Sequence, residues 1–180
     1  MVLQQQLTDE RNARFLKLFQ PVKADCERWV MHLAQDATVA EDVLQQAILM
    51  GLQSIHQLKN DIVFKAWMFR IIRNAFLQSL RTGKREPESA DPETMAMHSP
   101  RDDDWTGRDE RSKTVRQLLS KLPPEQRQAL WLFEVEGLSI RETSAVMGKS
   151  EGAVRVILHR ARQRFAESLA EANIFPGEGT

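Results

Sequence analysis

Cysteine is nearly absent from this chain. Cys26 is the one cysteine in 180 residues, which excludes an intramolecular disulfide and a four-cysteine zinc site and fits a reducing compartment. Net charge is absent as well: 25 Lys plus Arg stand against 25 Asp plus Glu. Overall charge therefore gives no general attraction to nucleic acid, and any such binding must come from local patches. No long charge-free apolar run occurs, and Met1 to Asp9 is polar with three consecutive glutamines, so neither a membrane span nor a signal peptide is expected. These absences predict a cytoplasmic protein without membrane insertion. Enzyme signatures are missing too: there is no Gly-rich phosphate loop, zinc-ligand spacing or nucleophile motif, and His32, His56, His98 and His159 are scattered. Catalysis is the least supported class, and no cofactor or metal is expected. Met95-Ala96-Met97-His98 imitates a soft-metal site but falls in a stretch that reads as linker.

What is present is helical periodicity, and 42% hydrophobic residues are enough for packed cores. Phe15, Leu18, Phe19, Val22, Cys26, Trp29, Val30 and Leu33 recur at threes and fours, with Pro21 expected to kink or delay the helix. A second pattern runs through Val43, Leu44, Ala47, Ile48, Leu52 and Ile55, and a third through Phe64, Trp67, Met68, Ile71, Ile72 and Ala75. Trp67 is placed in the core on this spacing. No strand-like alternation competes. From Arg85 to about Arg111 the pattern stops among Pro87, Pro92, Pro100 and the acidic run Asp102 to Asp104, as in a flexible linker. Patterning resumes at Val115, Leu118, Leu119 and Leu122, and Pro124 can open a new helix at its first turn. The expectation is an all-α chain of two small helical domains, 10–86 and 112–170, with an acidic linker at 87–111 and a tail at 171–180.

Charge is unevenly spread over this layout. Lys65, Arg70, Arg73, Arg81, Lys84 and Arg85 occur in a stretch free of acid, as do Arg155, Arg160, Arg162 and Arg164 between Gly152 and Ala166. Ser139-Ile140-Arg141-Glu142 is a capping-box sequence. Gly148 can close the helix it starts, and Ser150 can cap the next. In that next helix Val154, Leu158, Ala161 and Phe165 form the buried seam, which turns Glu151, Arg155, His159, Arg160 and Arg162 outward. An exposed basic helix after a glycine turn suits a major-groove reader, since arginine pairs with guanine and with phosphate.

Leu122-Pro123-Pro124-Glu125-Gln126-Arg127, the Gly137-Leu138-Ser139 turn, and Val154-Arg155 through Leu158-His159-Arg160-Ala161-Arg162 closely resemble region 4 of extracytoplasmic-function sigma factors. Ala40 to Gln46 resembles the family's region 2 helix that docks on the RNA polymerase clamp, and Phe64 to Asn74 its minus-10 helix. The resemblance implies a partner set of core RNA polymerase, promoter DNA and an anti-sigma factor. It implies polymerase binding by Glu41, Asp42, Gln45, Gln46 and Leu49. It implies minus-10 contacts by the base-capture loop Lys59, Asn60, Asp61 and Ile62 together with Lys65, Arg70, Arg73 and Asn74. Minus-35 contacts would come from Arg141, Ser150, Glu151, Gly152, Arg155, His159, Arg160 and Arg162. Departures from the family pattern are Gln46, which softens a charged polymerase contact, Asn60 and Ile62 in the capture loop, and Val156 and Ile157 in the recognition helix. The last pair predicts a weakened or altered minus-35 interaction.

Two other readings fit part of the pattern. A helix-turn-helix regulator that binds a palindrome as a dimer needs no polymerase, but leaves the clamp-like helix and the basic tryptophan helix without a role. An adaptor or antagonist that mimics sigma modules would tolerate the softened recognition helix.

Overall fold

The computed structural model describes residues 2–83 and 117–171, with side chains from residue 9 onward. The expected linker, the Met95 to His98 cluster and the tail from 172 lie outside the described residues. The chain divides into two compact units, Met1–Arg101 and Asp102–Thr180, and no strand occurs among the described residues. The all-α expectation holds.

Unit 1 is built from α1 (Val2–Phe19), α2 (Lys23–Ala34), α3 (Ala37–Ser54) and α4 (Phe64–Gly83). Pro21 sits in a tight 3-10 turn, Gln20–Val22, and separates α1 from α2, because proline at a first-turn position can start a helix but cannot continue one. The apolar pattern from Phe15 to Leu33 is thus shared between two helices. Gln35 ends α2 in the left-handed conformation at φ 55°, its amide donating to the Met31 carbonyl at 2.9 Å. Asp36 then caps α3 by accepting from the Val39 amide at 3.0 Å, so a two-residue link reverses the chain.

α2, α3 and α4 pack on one another and α1 lies against α3 and α4. Trp29, Phe15, Phe69, Met68 and Ile72 are fully buried at the centre. The Trp29 indole donates to the Phe69 carbonyl at 3.2 Å and its ring stacks on Phe69, so this large side chain is buried with its polar atom satisfied. α1 approaches α3 closely at Gly51, where a Cβ would lie 2.6 Å from Phe15 Cε2. Trp67 departs from its expected core position: it is half-buried, with its ring 5.6 Å from that of Phe64. Its apolar spacing puts it on the shoulder of the buried stripe, whose central turns are filled by Met68, Phe69, Ile71 and Ile72.

Unit 2 contains α5 (Pro124–Leu130), which widens into a π turn over Trp131–Val135, then α6 (Ile140–Met147) and α7 (Glu151–Glu171). Pro124 opens α5 as expected. The π turn closes with the Glu136 amide on the Trp131 carbonyl at 3.0 Å, and Gly137 at φ 68° redirects the chain toward α6. α5 packs on α7, and α6 packs on α7. Leu132, Val146, Val154, Leu158 and Ala161 are buried between them, while Phe165 near the end of α7 is only half-buried.

Candidate functional site

The turn between α6 and α7 forms as its sequence dictates. Ser139 Oγ accepts from the Glu142 amide at 3.2 Å, and Glu142 Oε2 accepts from the Ser139 amide at 2.9 Å, which satisfies two orphan donors of the helix start reciprocally. Gly148 ends α6 at φ 66°, and Ser150 Oγ accepts from the Ala153 amide at 3.2 Å to start α7. Lys149 Nζ, 2.5 Å from Glu125 Oε1, ties the turn to the start of α5. The two helices therefore meet with their relative setting fixed from both sides.

With Val154, Leu158 and Ala161 buried, Gly152, Arg155, His159, Arg160 and Arg162 are exposed on α7, as is Arg141 on α6. The cations are not equally available. Arg155 Nη2 pairs with Glu151 Oε2 at 3.2 Å, one turn back. Arg162 commits both Nε, at 2.9 Å, and Nη2, at 2.6 Å, to Glu134 Oε1, and its guanidinium lies 5.3 Å from the Phe133 ring centre. Arg162 thereby staples α7 to the π turn. For Arg160 and His159 no such ion pair occurs among the described residues.

In unit 1 the outer face of α3 brings together Glu41, Asp42, Gln45, Gln46 and Leu49, all exposed, opposite the buried Ala40, Val43 and Ala47. Gln45 donates to Glu41 at 3.3 Å, and Leu49 is 54% exposed. An apolar residue thus stands in water amid short acids and amides, a surface that can accept a basic partner around a hydrophobic contact.

The segment that precedes α4 is a built loop. Asn60 Oδ1 accepts from the Ile62 amide at 3.0 Å and so shapes the turn, and the Ile62 side chain is 87% exposed at its tip. Arg14 of α1 reaches across to this loop: its Nη2 donates to the Leu58 carbonyl at 3.0 Å and to Asp61 Oδ1 at 2.5 Å. The guanidinium both neutralises Asp61 and fixes the loop backbone. Arg14 was not legible in the sequence, because its partners lie 44 and 47 positions away.

On α4, Arg70 and Asn74 are exposed and Arg73 is half-buried. These three share a face with Trp67, since 67, 70, 73 and 74 fall within about a third of the helix circumference. Lys65 does not join them. It is five positions before Arg70, about 140° around the helix, and its ammonium lies 2.8 Å from Asp25 Oδ2 of α2 and 5.5 Å from the Phe69 ring centre. Asp25 also pairs with Arg28. Burial pushes the Asp25 carboxyl up, but hydrogen bonds and charge from Lys65 and Arg28 outweigh it and hold the group below its ordinary value. Lys65 is thus an internal tie between α2 and α4, while Lys59 and Arg70 point to solvent.

Known protein families match segments in each of the two units. The family model described as sigma-70 region 2 matches residues 18–86, and that described as sigma-70, region 4, matches residues 112–165. The ECF RNA polymerase sigma factor SigM of Mycobacterium tuberculosis is 30% identical over 159 residues, which is 88% of this chain and 79% of the relative. The ECF RNA polymerase sigma factor SigM of Bacillus subtilis is 29% identical over 148 residues, 82% of this chain and 90% of the relative. In fold, the chain is similar to the sigma factor RpoE of Bartonella quintana, solved in complex with the anti-sigma factor NepR, with a TM-score of 0.67, 24% identity, and coverage of 87% of this chain and 97% of that one.

Proposed function

The chain belongs to the extracytoplasmic-function RNA polymerase sigma factors, and from that premise we propose how its surfaces divide the work of binding core polymerase and directing it to promoters. The outer face of α3, with Glu41, Asp42, Gln45, Gln46 and Leu49, meets the polymerase clamp. The Lys59 to Ile62 loop and the Arg70, Arg73 and Asn74 face of α4 hold the minus-10 strand, with Trp67 at its margin. Extruding a base costs a few kcal/mol of stacking, and a loop already fixed by Arg14 spends none of the binding energy on ordering itself. The exposed face of α7, with Gly152, Arg155, His159 and Arg160, enters the major groove at minus-35, while Arg141, Ser150 and Glu151 lie where α6 and the start of α7 approach the backbone. No chemistry is performed.

The observation that carries this division is the doubly capped turn between α6 and α7, which sets an exposed cationic helix on a buried Val154, Leu158 and Ala161 seam. Residues 10–86 and 112–170 serve as the two binding modules, and two weak sites in one chain reinforce each other through effective concentration. An anti-sigma factor that covers these surfaces is the expected regulator, as the similarity to the NepR-bound factor suggests. Cytoplasmic location follows from the work itself. No described helix is long and apolar enough to cross a membrane.

Run-off transcription tests the proposal. Purified protein is mixed with bacterial core polymerase and sheared DNA from the protein's own host. Transcripts that require the added protein are expected, and their start sites give the promoter elements. Specific DNA binding without core, with neither core binding nor transcripts, would instead establish the dimeric regulator.

A further inference from the structure

The DNA-facing side of α7 is not uniformly cationic. Val154 is fully buried, and Val156, two residues on, lies almost diametrically opposite it on a helix of 3.6 residues per turn. Val156 is 49% exposed, with Arg155, His159 and Arg160 exposed around it. One turn earlier stands Gly152, also exposed, where an added Cβ would meet nothing within 4 Å. Glycine weakens a helix relative to alanine, and here no close packing or left-handed backbone accounts for it. Helical side chains lean toward the N-terminus, so the Val156 isopropyl group leans over the bare backbone of Gly152. The result is a small apolar shelf beside open space over Gly152, set among cations.

We propose that Val156, with the open space over Gly152, reads the 5-methyl group of a thymine in the major groove, and so fixes one base of the upstream promoter element. The proposal rests on α7 being the promoter-reading helix. In the major groove the thymine methyl is the base feature that carbon side chains recognise. Arginines on both sides can hold phosphates and keep the helix in the groove. The exposed valine then leaves water on binding, and an added Cβ at position 152 would fill the space the methyl needs. Val156 is in this light a specificity determinant that exchanges a polar contact for an apolar one.

The test uses holoenzyme assembled from the full chain and bacterial core polymerase, on a promoter fragment mapped by run-off transcription. Each thymine of the upstream element is replaced in turn by deoxyuridine, which pairs identically but lacks the methyl. One position is expected at which uracil weakens binding about fourfold, the value of one buried methyl group. Holoenzyme carrying Val156→Ala should bind the thymine fragment more weakly and no longer distinguish uracil there. Gly152→Ala should abolish the same discrimination without lowering the melting temperature, which separates the effect from misfolding. Should no uracil matter, or should the penalty persist in Val156→Ala while Arg160→Ala still weakens binding, methyl reading is wrong and α7 remains the promoter helix. Should replacement of the whole upstream element by unrelated sequence change nothing, the assignment of α7 to the promoter fails and the proposal with it. Val156→Ala that leaves promoter binding intact but releases an inhibitory protein would overturn the proposal in favour of a protein contact.

Discussion

Gly51→Ala tests how α1 is seated on α3. The new Cβ would lie 2.6 Å from Phe15 Cε2, 3.1 Å from Cζ and 3.4 Å from Met68 Sδ, whereas carbon atoms rest at about 3.5–4.0 Å. Phe15 and Met68 are both fully buried, and the Phe15 ring stacks on Phe19 at 5.5 Å and meets Phe64 edge-on at 5.7 Å. The ring therefore cannot swing aside without breaking two aromatic contacts, so α1 must shift by about 1 Å. Overpacking of this kind costs about 1–3 kcal/mol, and the upper half applies where the clashing group is locked. Alanine returns about 1 kcal/mol of helix propensity. The net expectation is a loss of about 1–2 kcal/mol, which lowers the melting temperature of a unit this size by roughly 4–16 °C. Thermal unfolding followed by circular dichroism reads the shift, and hydrogen exchange should place it in α1 and α3. Because Phe15 adjoins Arg14 in sequence, exchange should also rise in the 58–63 loop that Arg14 holds. Adding Phe15→Leu should relieve part of the clash, so that the double variant is less destabilised than the sum of the two single changes. A more stable Gly51→Ala protein, or strict additivity with Phe15→Leu, would refute the close-approach account.

Other outcomes follow from single contacts. Arg14→Ala removes a pair whose side chains are 39% and 52% exposed, so its stability cost should stay below about 1 kcal/mol; promoter melting by the holoenzyme should nevertheless fall while affinity for core is unchanged, and an equal loss of core affinity would count against a loop-specific role. Asp25 has a lowered folded-state pKa, so its contribution is present above its unfolded pKa of about 3.9 and is lost as pH falls through the folded value. Asp25→Asn should therefore be less stable at neutral pH, since the ion pairs of Asp25 with Lys65 and Arg28 are lost, and should show a flatter decline in acid denaturation below about pH 4. Ser139→Ala removes the hydroxyl that caps α6 and should cost about 1 kcal/mol, seen as faster hydrogen exchange in α6; unaltered exchange there would mean that Glu142 alone holds the helix start.

Much of the fold was legible because its determinants are local. The capping box at Ser139 and Glu142, the left-handed Gly148 and the Ser150 cap act over three or four residues, and each forms as the sequence pattern requires. The outer face of α3 follows equally from period alone, since Ala40, Val43 and Ala47 decide which residues are left in water. Pro21 is a local signal too, and its effect is a turn that divides one apolar stripe between two helices. Trp67 marks where periodicity loses resolution. A bulky residue on the shoulder of a stripe is buried or half-buried according to what the neighbouring helix places there.

The charged residues show the deeper limit. Counting cations in acid-free stretches treats every one as available to DNA, but a cation is spent wherever the fold brings a carboxylate to it. Lys65 meets Asp25 across 40 positions, and Arg162 meets Glu134 across 28. Conversely Arg14, which lies outside both basic stretches, is carried to the loop before α4 by the packing of α1. Local sequence fixed which helices are basic; tertiary contacts decide which of their charges face outward. The positive charge that the described residues offer to solvent is thus smaller than the basic stretches imply, because Lys65 and Arg162 are paired with carboxylates. If α7 reads the promoter as proposed, fewer phosphate contacts hold the helix, so discrimination would lean more on base edges, and the exposed Val156 fits that balance.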